Sequence, residues 1–145
     1  MTALVLDASV AVKWYVNEIG SEKVLRLLDD GDLHLLTADI FRLEVVNALL
    51  RQLRRGQLED AVFAEALDDL ALNMPEIVPS TEILSRTVAL ARAIEHPIYD
   101  CLYLAAAERR DALLLTADAE FVLRCRSRLE DDPLVKRLRF FHDEP

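Results

Sequence analysis

Four isolated acidic residues stand where apolar segments begin, end or are interrupted: Asp7, Glu44, Asp100 and Asp118. None has an obvious basic partner nearby in the sequence. A carboxylate is costly to bury unless a positive charge meets it. If the fold gathers these four acids, the simplest source of that charge is a hard divalent ion with oxygen ligands, such as Mg²⁺ or Mn²⁺. The few histidines, and cysteines without ligand spacing, argue against zinc.

Each acid also has a purely structural interpretation, which the sequence leaves open. Asp7, Asp100 and Asp118 each precede a predicted helix, where an aspartate commonly caps the first N–H groups. Glu44 shares a narrow helical stripe with Asn47 and Arg51 and is surrounded by apolar positions, so it could simply face solvent. No single acid therefore identifies a site, and the hypothesis depends on their convergence.

The elements that position these acids alternate between short β-rich runs and helical patterns, which is typical of a parallel α/β sheet. Strands are predicted at Ala3–Leu6, Leu33–Leu36, Glu76–Val78 and Ala112–Thr116, with an edge strand at Leu138–Phe141. Helices are predicted at Ser9–Val16, after Ser21, at Asp39–Arg55, Leu58–Leu72, from Ser80 to His96, at Tyr99–Arg110, from Asp118 and briefly from Pro133. Because sites in parallel sheets form outside the carboxyl ends of the strands, Asp7 and Asp118 are expected there.

Helical spacing also predicts which side chains are buried. The predicted buried faces are Val24, Leu25 and Leu28; Phe63, Ala66, Leu67 and Leu70; and Leu84, Val88, Ala91 and Ile94. The Asp39–Arg55 helix has more apolar surface than one face against a sheet requires, which favours contact with a partner on a second side. Trp14 and Tyr15 either pack in the core or line a partner groove.

Length and composition limit the classes of protein that fit. A chain of 145 residues with 52% hydrophobic residues predicts one globular domain, residues 1–145. The net charge of −9 argues against broad adhesion to nucleic acid or anionic membranes, but it is compatible with a nucleic-acid enzyme whose acids bind metal. Two cysteines, and no apolar run resembling a signal peptide or a membrane span, predict a cytoplasmic protein with reduced thiols.

At its acidic residues the chain resembles the PIN-domain ribonucleases, and specifically toxins of the VapC type. The resemblance is carried by Leu6-Asp7-Ala8-Ser9, by the Leu43–Leu49 segment, by Tyr99-Asp100-Cys101-Leu102-Tyr103-Leu104-Ala105 and by Leu115-Thr116-Ala117-Asp118. Each stretch is weak alone, but the ordered set spans nearly the whole chain.

The resemblance implies a three-layer α/β/α sandwich with a central parallel sheet and a metal-dependent endoribonuclease activity. Asp7, Glu44, Asp100 and Asp118 map onto the acidic quartet of the family. The three aspartates are then expected to bind the metal, while Glu44 binds it through water or accepts the proton of the nucleophile. Ser9, Asn47 and Thr116 are expected supporting polar residues.

The resemblance further implies RNA as substrate, a cognate antitoxin as partner and a homodimer. The alternative is a catalytically silent PIN-like module that acts only through protein contacts.

Two other Mg²⁺-dependent families place an aspartate after the first strand. A haloacid-dehalogenase-like phosphatase needs a second aspartate where Ser9 stands, and a response-regulator receiver needs paired acids there. Neither pattern is present.

Overall fold

The computed structural model describes residues 2–145, except for the side chain of Leu28. Within this range the chain forms five strands: β1 Thr2–Leu6, β2 Leu33–Ala38, β3 Glu76–Val78, β4 Leu113–Thr116 and β5 Leu138–Phe140. It also forms seven α-helices: α1 Ala8–Ala11, α2 Ser21–Asp29, α3 Phe41–Arg54, α4 Asp60–Leu72, α5 Ser80–Ile94, α6 Ile98–Arg109 and α7 Ala119–Arg128. None of these helices is both long and apolar enough to span a lipid bilayer.

The five strands form one parallel sheet in the order β3-β2-β1-β4-β5. The chain builds the sheet outward from β1 in one direction and then returns to add β4 and β5 on the other side. The strand order therefore reverses between β1 and β4, and ligand sites of parallel sheets form in the crevice at such a point. The carboxyl ends of β1 and β4 lead directly to Asp7 and Asp118. The predicted α/β/α sandwich and the edge position of β5 are confirmed.

Helix α6 packs against β1, β2 and β4 at the centre of the sheet. Its residues 101–107 are all buried, which explains why the sequence there shows no amphipathic period. The three consecutive alanines, residues 105–107, leave room for α5, the helix that contacts α6 most extensively. A central helix covered on all sides holds its side chains rigidly, and α6 contributes one of the four acids.

Two of the predicted elements, the first helix and the start of α6, differ in the structure. The first helix does not run from Ser9 to Val16, because α1 ends at Ala11 and continues as a 3₁₀ turn at Val12–Trp14. Asp100 does not cap α6, since it is the third residue of that helix, with Pro97 at the N-cap position. Aspartate is also favourable in a first turn, where it faces the positive end of the helix dipole.

The predicted buried face of α5 is wrong by about one residue. Leu84 and Val88 are 55% and 41% exposed, while the buried residues are Ile83, Thr87, Leu90 and Ile94. Ile94 is buried as predicted, and the two sets follow the same helical spacing about one residue apart. The structure accommodates the buried Thr87 because its hydroxyl donates to the carbonyl of Ile83 at 2.7 Å.

Two further buried positions were also predicted incorrectly, on α2 and α4. Val24 is buried as expected, but Leu25 is half exposed, and Leu28 lies outside the described side chains. On α4, Ala66 and Leu70 are buried, whereas Leu67 is 40% exposed. Both helices therefore present narrower apolar faces to the core than the spacing suggests.

Candidate active site

The four acids come from four separate segments and line one pocket of about 400 Å³. Asp7 follows β1, Glu44 is in the first turn of α3, Asp100 is in the first turn of α6, and Asp118 precedes α7. The predicted supporting residues Ser9 and Asn47 line the same pocket. The structure thus places the four predicted acids around one cavity.

Asp7 is the most deeply buried of the four, with 4% of its surface exposed. Its Oδ1 accepts a hydrogen bond from the Ser9 N–H at 3.3 Å, and its Oδ2 accepts one from the Thr116 hydroxyl at 2.6 Å. Burial raises the pKa of Asp7 from its ordinary value of 3.8 to about 7. The Thr116 hydrogen bond opposes this shift, and the nearby charges of Asp100 and Glu44 add to it.

Thr116 and Ser9 form a small network that joins the ends of β1 and β4. The Thr116 Oγ1 also accepts the N–H of Asp118 at 3.1 Å, and the Ser9 Oγ accepts the N–H of Ala117 at 3.0 Å. The two hydroxyl oxygens are 3.4 Å apart. These bonds fix the chain after β4 against the start of α1, so they set the position of Asp118 relative to Asp7.

Glu44 is held by a residue of another helix. The hydroxyl of Tyr103, which is fully buried on α6, donates to the Glu44 Oε1 at 2.6 Å. Burial raises the pKa of Glu44, the Tyr103 hydrogen bond lowers it, and the charge of Asp100 raises it further. A carboxylate with a raised pKa is a better proton acceptor near neutral pH than an ordinary glutamate.

The two remaining aspartates are also held by donors. The Asp100 Oδ2 lies 2.6 Å from the Nε2 of His96, while burial and the charge of Asp118 raise the pKa of Asp100. The Asp118 Oδ1 accepts the N–H of Phe121 at 3.1 Å and caps α7. The capping interpretation is therefore correct for Asp118, and its carboxylate lines the pocket as well. The two roles are compatible because the capping bond uses only one oxygen.

The residues present fit a hard divalent cation by donor type and by charge. All four acids supply carboxylate oxygens, which Mg²⁺ and Mn²⁺ prefer. Mutual repulsion among the acids contributes to the raised pKa values of Asp7, Glu44 and Asp100, and a bound cation would relieve it. Among residues 2–145, however, no three histidine, cysteine or acidic side chains form a preformed metal cluster. The donor set thus suits a cation without being arranged as a closed cage.

Sequence reasoning missed several residues of the pocket. His96 and Tyr103 contact two of the acids, and Lys13 and His142 lie on the pocket wall. Arg51, which shares the helical stripe of Glu44 in the sequence, lines the pocket as well. Lys13 is buried and donates to the Glu18 carboxylate and the Ile19 carbonyl at 3.1 and 3.0 Å. The four-residue spacing between His96 and Asp100 is a usable signal, but Pro97 between them indicated only a helix end.

Comparison with known proteins identifies the family to which the chain belongs. The PIN domain family model matches residues 4–125. Ribonuclease VapC3 of Pyrobaculum aerophilum is 33% identical over 120 residues, which cover 81% of this chain and 90% of that protein. A chain of a toxin–antitoxin complex from Klebsiella pneumoniae superposes with a TM-score of 0.60, covering 95% of this chain and 97% of its own length. At 16% identity that last similarity shows the fold alone. The chain therefore belongs to the PIN domain family, as its resemblance to VapC-type proteins implied.

Proposed function

We propose that this protein is a Mg²⁺- or Mn²⁺-dependent endoribonuclease and the toxin of a toxin–antitoxin pair. The observation that carries the proposal is the convergence of Asp7, Glu44, Asp100 and Asp118 on one pocket at the reversal point of the sheet. Membership in the PIN family and similarity to a protein named as a ribonuclease support RNA cleavage as the activity of this site.

In this proposal Asp7, Asp100 and Asp118 hold the metal, and Glu44 assists directly or through a water molecule. When bound, a divalent ion would acidify water and stabilise the negative charge that develops on a phosphodiester. The chain's own residues supply position and proton transfer. Thr116 and the Ser9 N–H fix both oxygens of Asp7, while Glu44, with its raised pKa, accepts the proton of the attacking water.

RNA has to approach an acidic pocket on an acidic protein, so local positive charge matters. Arg51 lies two helical turns beyond Glu44 on α3, and it is exposed and lines the pocket. Its guanidinium has no carboxylate within 4.0 Å among the described residues. We assign Arg51 to a phosphate of the substrate beside the acids, where a planar cation suits a phosphate oxygen pair.

The proposed partners follow from the same surfaces. An acidic pocket is complementary to an arginine or lysine of a cognate antitoxin, which would block the substrate. A homodimer is supported by apolar side chains that the fold leaves exposed, including Leu43 at 72% and Leu84 at 55%. The site of action is then the cytoplasm, where RNA is available. Light scattering that shows only monomer at micromolar concentration would contradict the dimer.

Cleavage of structured RNA by purified protein, with Mg²⁺ or Mn²⁺ and then with EDTA, tests the proposed activity. Cleavage with metal, its loss in EDTA and its loss in Asp7→Asn are expected. A catalytically silent interaction module would leave the RNA intact under all conditions. Cleavage at the full rate by Asp7→Asn would refute the assignment of the site.

A further inference from the structure

We infer that His96 is a positioning residue that holds Asp100 in its metal-binding orientation, an inference that rests on the proposed function. The Nε2 of His96 lies 2.6 Å from the Asp100 Oδ2. Because an ionised carboxylate has no hydrogen to donate, the imidazole is the donor. Among the described residues the other oxygen, Oδ1, makes no hydrogen bond that would compete with an ion.

The histidine ring is itself held firmly in place. Its side chain is only 8% exposed, and its ring centroid lies 5.1 Å from that of Phe121 on α7. The backbone N–H of His96 donates to the carbonyl of Ala91 at 3.2 Å, and this hydrogen bond closes the end of α5. Pro97 follows and restricts the backbone of His96. A donor fixed by ring packing and by its backbone can fix its acceptor in turn.

The turn that carries His96 is anchored to α7 from the other side. Glu95 has a left-handed φ of +54°, a conformation that is unfavourable for a residue other than glycine. Arg124 donates to the Glu95 carbonyl at 3.0 Å, and Arg128 pairs with the Glu95 carboxylate at 3.2 Å. These contacts retain the unusual backbone conformation. They tie the turn that carries His96 to α7, the helix that Asp118 caps.

The pocket needs such a donor because its acids repel each other. Asp118 acts on Asp100 as a like charge, and in the absence of a donor repulsion favours rotation of the Asp100 carboxylate away from the pocket. Because His96 already orders the Asp100 carboxylate, binding an ion costs less rotational entropy at this ligand. Outer hydrogen bonds of this kind to metal-binding side chains typically change affinity by about 10–100-fold.

The test uses three variants of the full chain and Mn²⁺ alone as probe, measured by titration calorimetry. His96→Phe keeps the ring against Phe121 but removes the donor, and about a 10–100-fold weaker Mn²⁺ affinity is expected. His96→Gln places an amide N–H near the Nε2 position and should restore most of the affinity. His96→Asn is too short to reach Asp100 and should resemble His96→Phe.

His34→Phe is the matched control, because His34 also contacts a carboxylate, that of Glu76 at 2.5 Å, but on the exposed surface. It should bind Mn²⁺ like the wild type. Thermal unfolding of each variant shows whether a loss of Mn²⁺ affinity comes from misfolding. If the Phe variant fails to fold, the comparison of the Gln and Asn variants still tests the inference.

Equal Mn²⁺ affinities for the wild type and His96→Phe, or for the Gln and Asn variants, would overturn the role of His96 but leave the proposed metal site intact. A wild-type protein that binds no Mn²⁺ would instead overturn the proposed metal site and this inference with it. In RNA cleavage at limiting metal, the Phe variant should lose kcat while its KM for RNA stays near that of the wild type.

Discussion

Replacing Asp7 with asparagine should stabilise the metal-free protein at high pH although it removes a proposed metal ligand. The folded state raises the pKa of Asp7 from 3.8 to about 7. A raised pKa means that the protonated form is favoured on folding, so this contribution to stability is complete below pH 3.8. It is lost progressively as the pH rises to 7 and above.

The magnitude follows from the size of that shift. Three pKa units correspond to about 4 kcal/mol of unfolding free energy at pH 8. Asp7 is 4% exposed, so solvent screening reduces this figure little. Asparagine has nearly the same shape and no charge, and the Thr116 hydroxyl can accept from its amide in place of donating to the carboxylate. In Asp7→Asn the pH-dependent loss should therefore disappear.

The assay is denaturant unfolding in EDTA at several pH values between 4 and 8.5, with Asp68→Asn as control. Asp68 is exposed on α4 and outside the pocket. The difference in unfolding free energy between Asp7→Asn and the wild type should grow with pH, to about 4 kcal/mol at pH 8. The Asp68→Asn difference should stay flat. A flat difference for Asp7→Asn as well would refute the raised pKa of Asp7.

Three further predictions follow from the pocket and its surroundings. Tyr103→Phe removes the hydroxyl that donates to Glu44, and chemical unfolding at pH 8 should show a loss of about 1.5 kcal/mol together with slower cleavage. Arg51→Gln should weaken RNA binding and reduce the slope of log K against log salt by about 0.7, as measured by fluorescence anisotropy, while Arg54→Gln, on the same helix outside the pocket, should not. Both cysteines are buried, with thiol pKa values raised to about 12, so neither should react with a thiol reagent at pH 8 until the protein unfolds. An unchanged salt slope or rapid labelling of the native protein would contradict the respective prediction.

The strands that precede the candidate site residues Asp7 and Asp118 could be predicted from the sequence more accurately than the burial of helix side chains. An acid within two residues of the end of a buried apolar strand is a local pattern, which is why Asp7 and Asp118 could be placed at the sheet edge in advance. The buried face of α5 was displaced by about one residue because Ile83, Thr87 and Leu90 follow the same helical spacing as Leu84, Val88 and Ala91. Which of two such faces is buried depends on packing against α6, and periodicity does not encode that packing.

The contacts between distant residues were beyond sequence reasoning for a different reason. Tyr103 and Glu44 are 59 residues apart, and neither residue type indicates the other as its partner. A tyrosine within an apolar helix indicates packing, so the role of its hydroxyl appears only when α3 and α6 are brought together. Asp100 could be singled out as an acid in an apolar segment, but not assigned correctly to the interior of a first helical turn.

The most direct test of the four-acid pocket is a crystal soaked in Mn²⁺, examined by anomalous diffraction at the manganese edge. We expect one or two manganese peaks within ligand distance of carboxylate oxygens from Asp7, Asp100 and Asp118, with Glu44 nearby. The peaks should be absent from an Asp7→Asn crystal soaked in the same way. An empty pocket in the wild-type crystal at millimolar Mn²⁺, or manganese bound only elsewhere on the surface, would contradict the account.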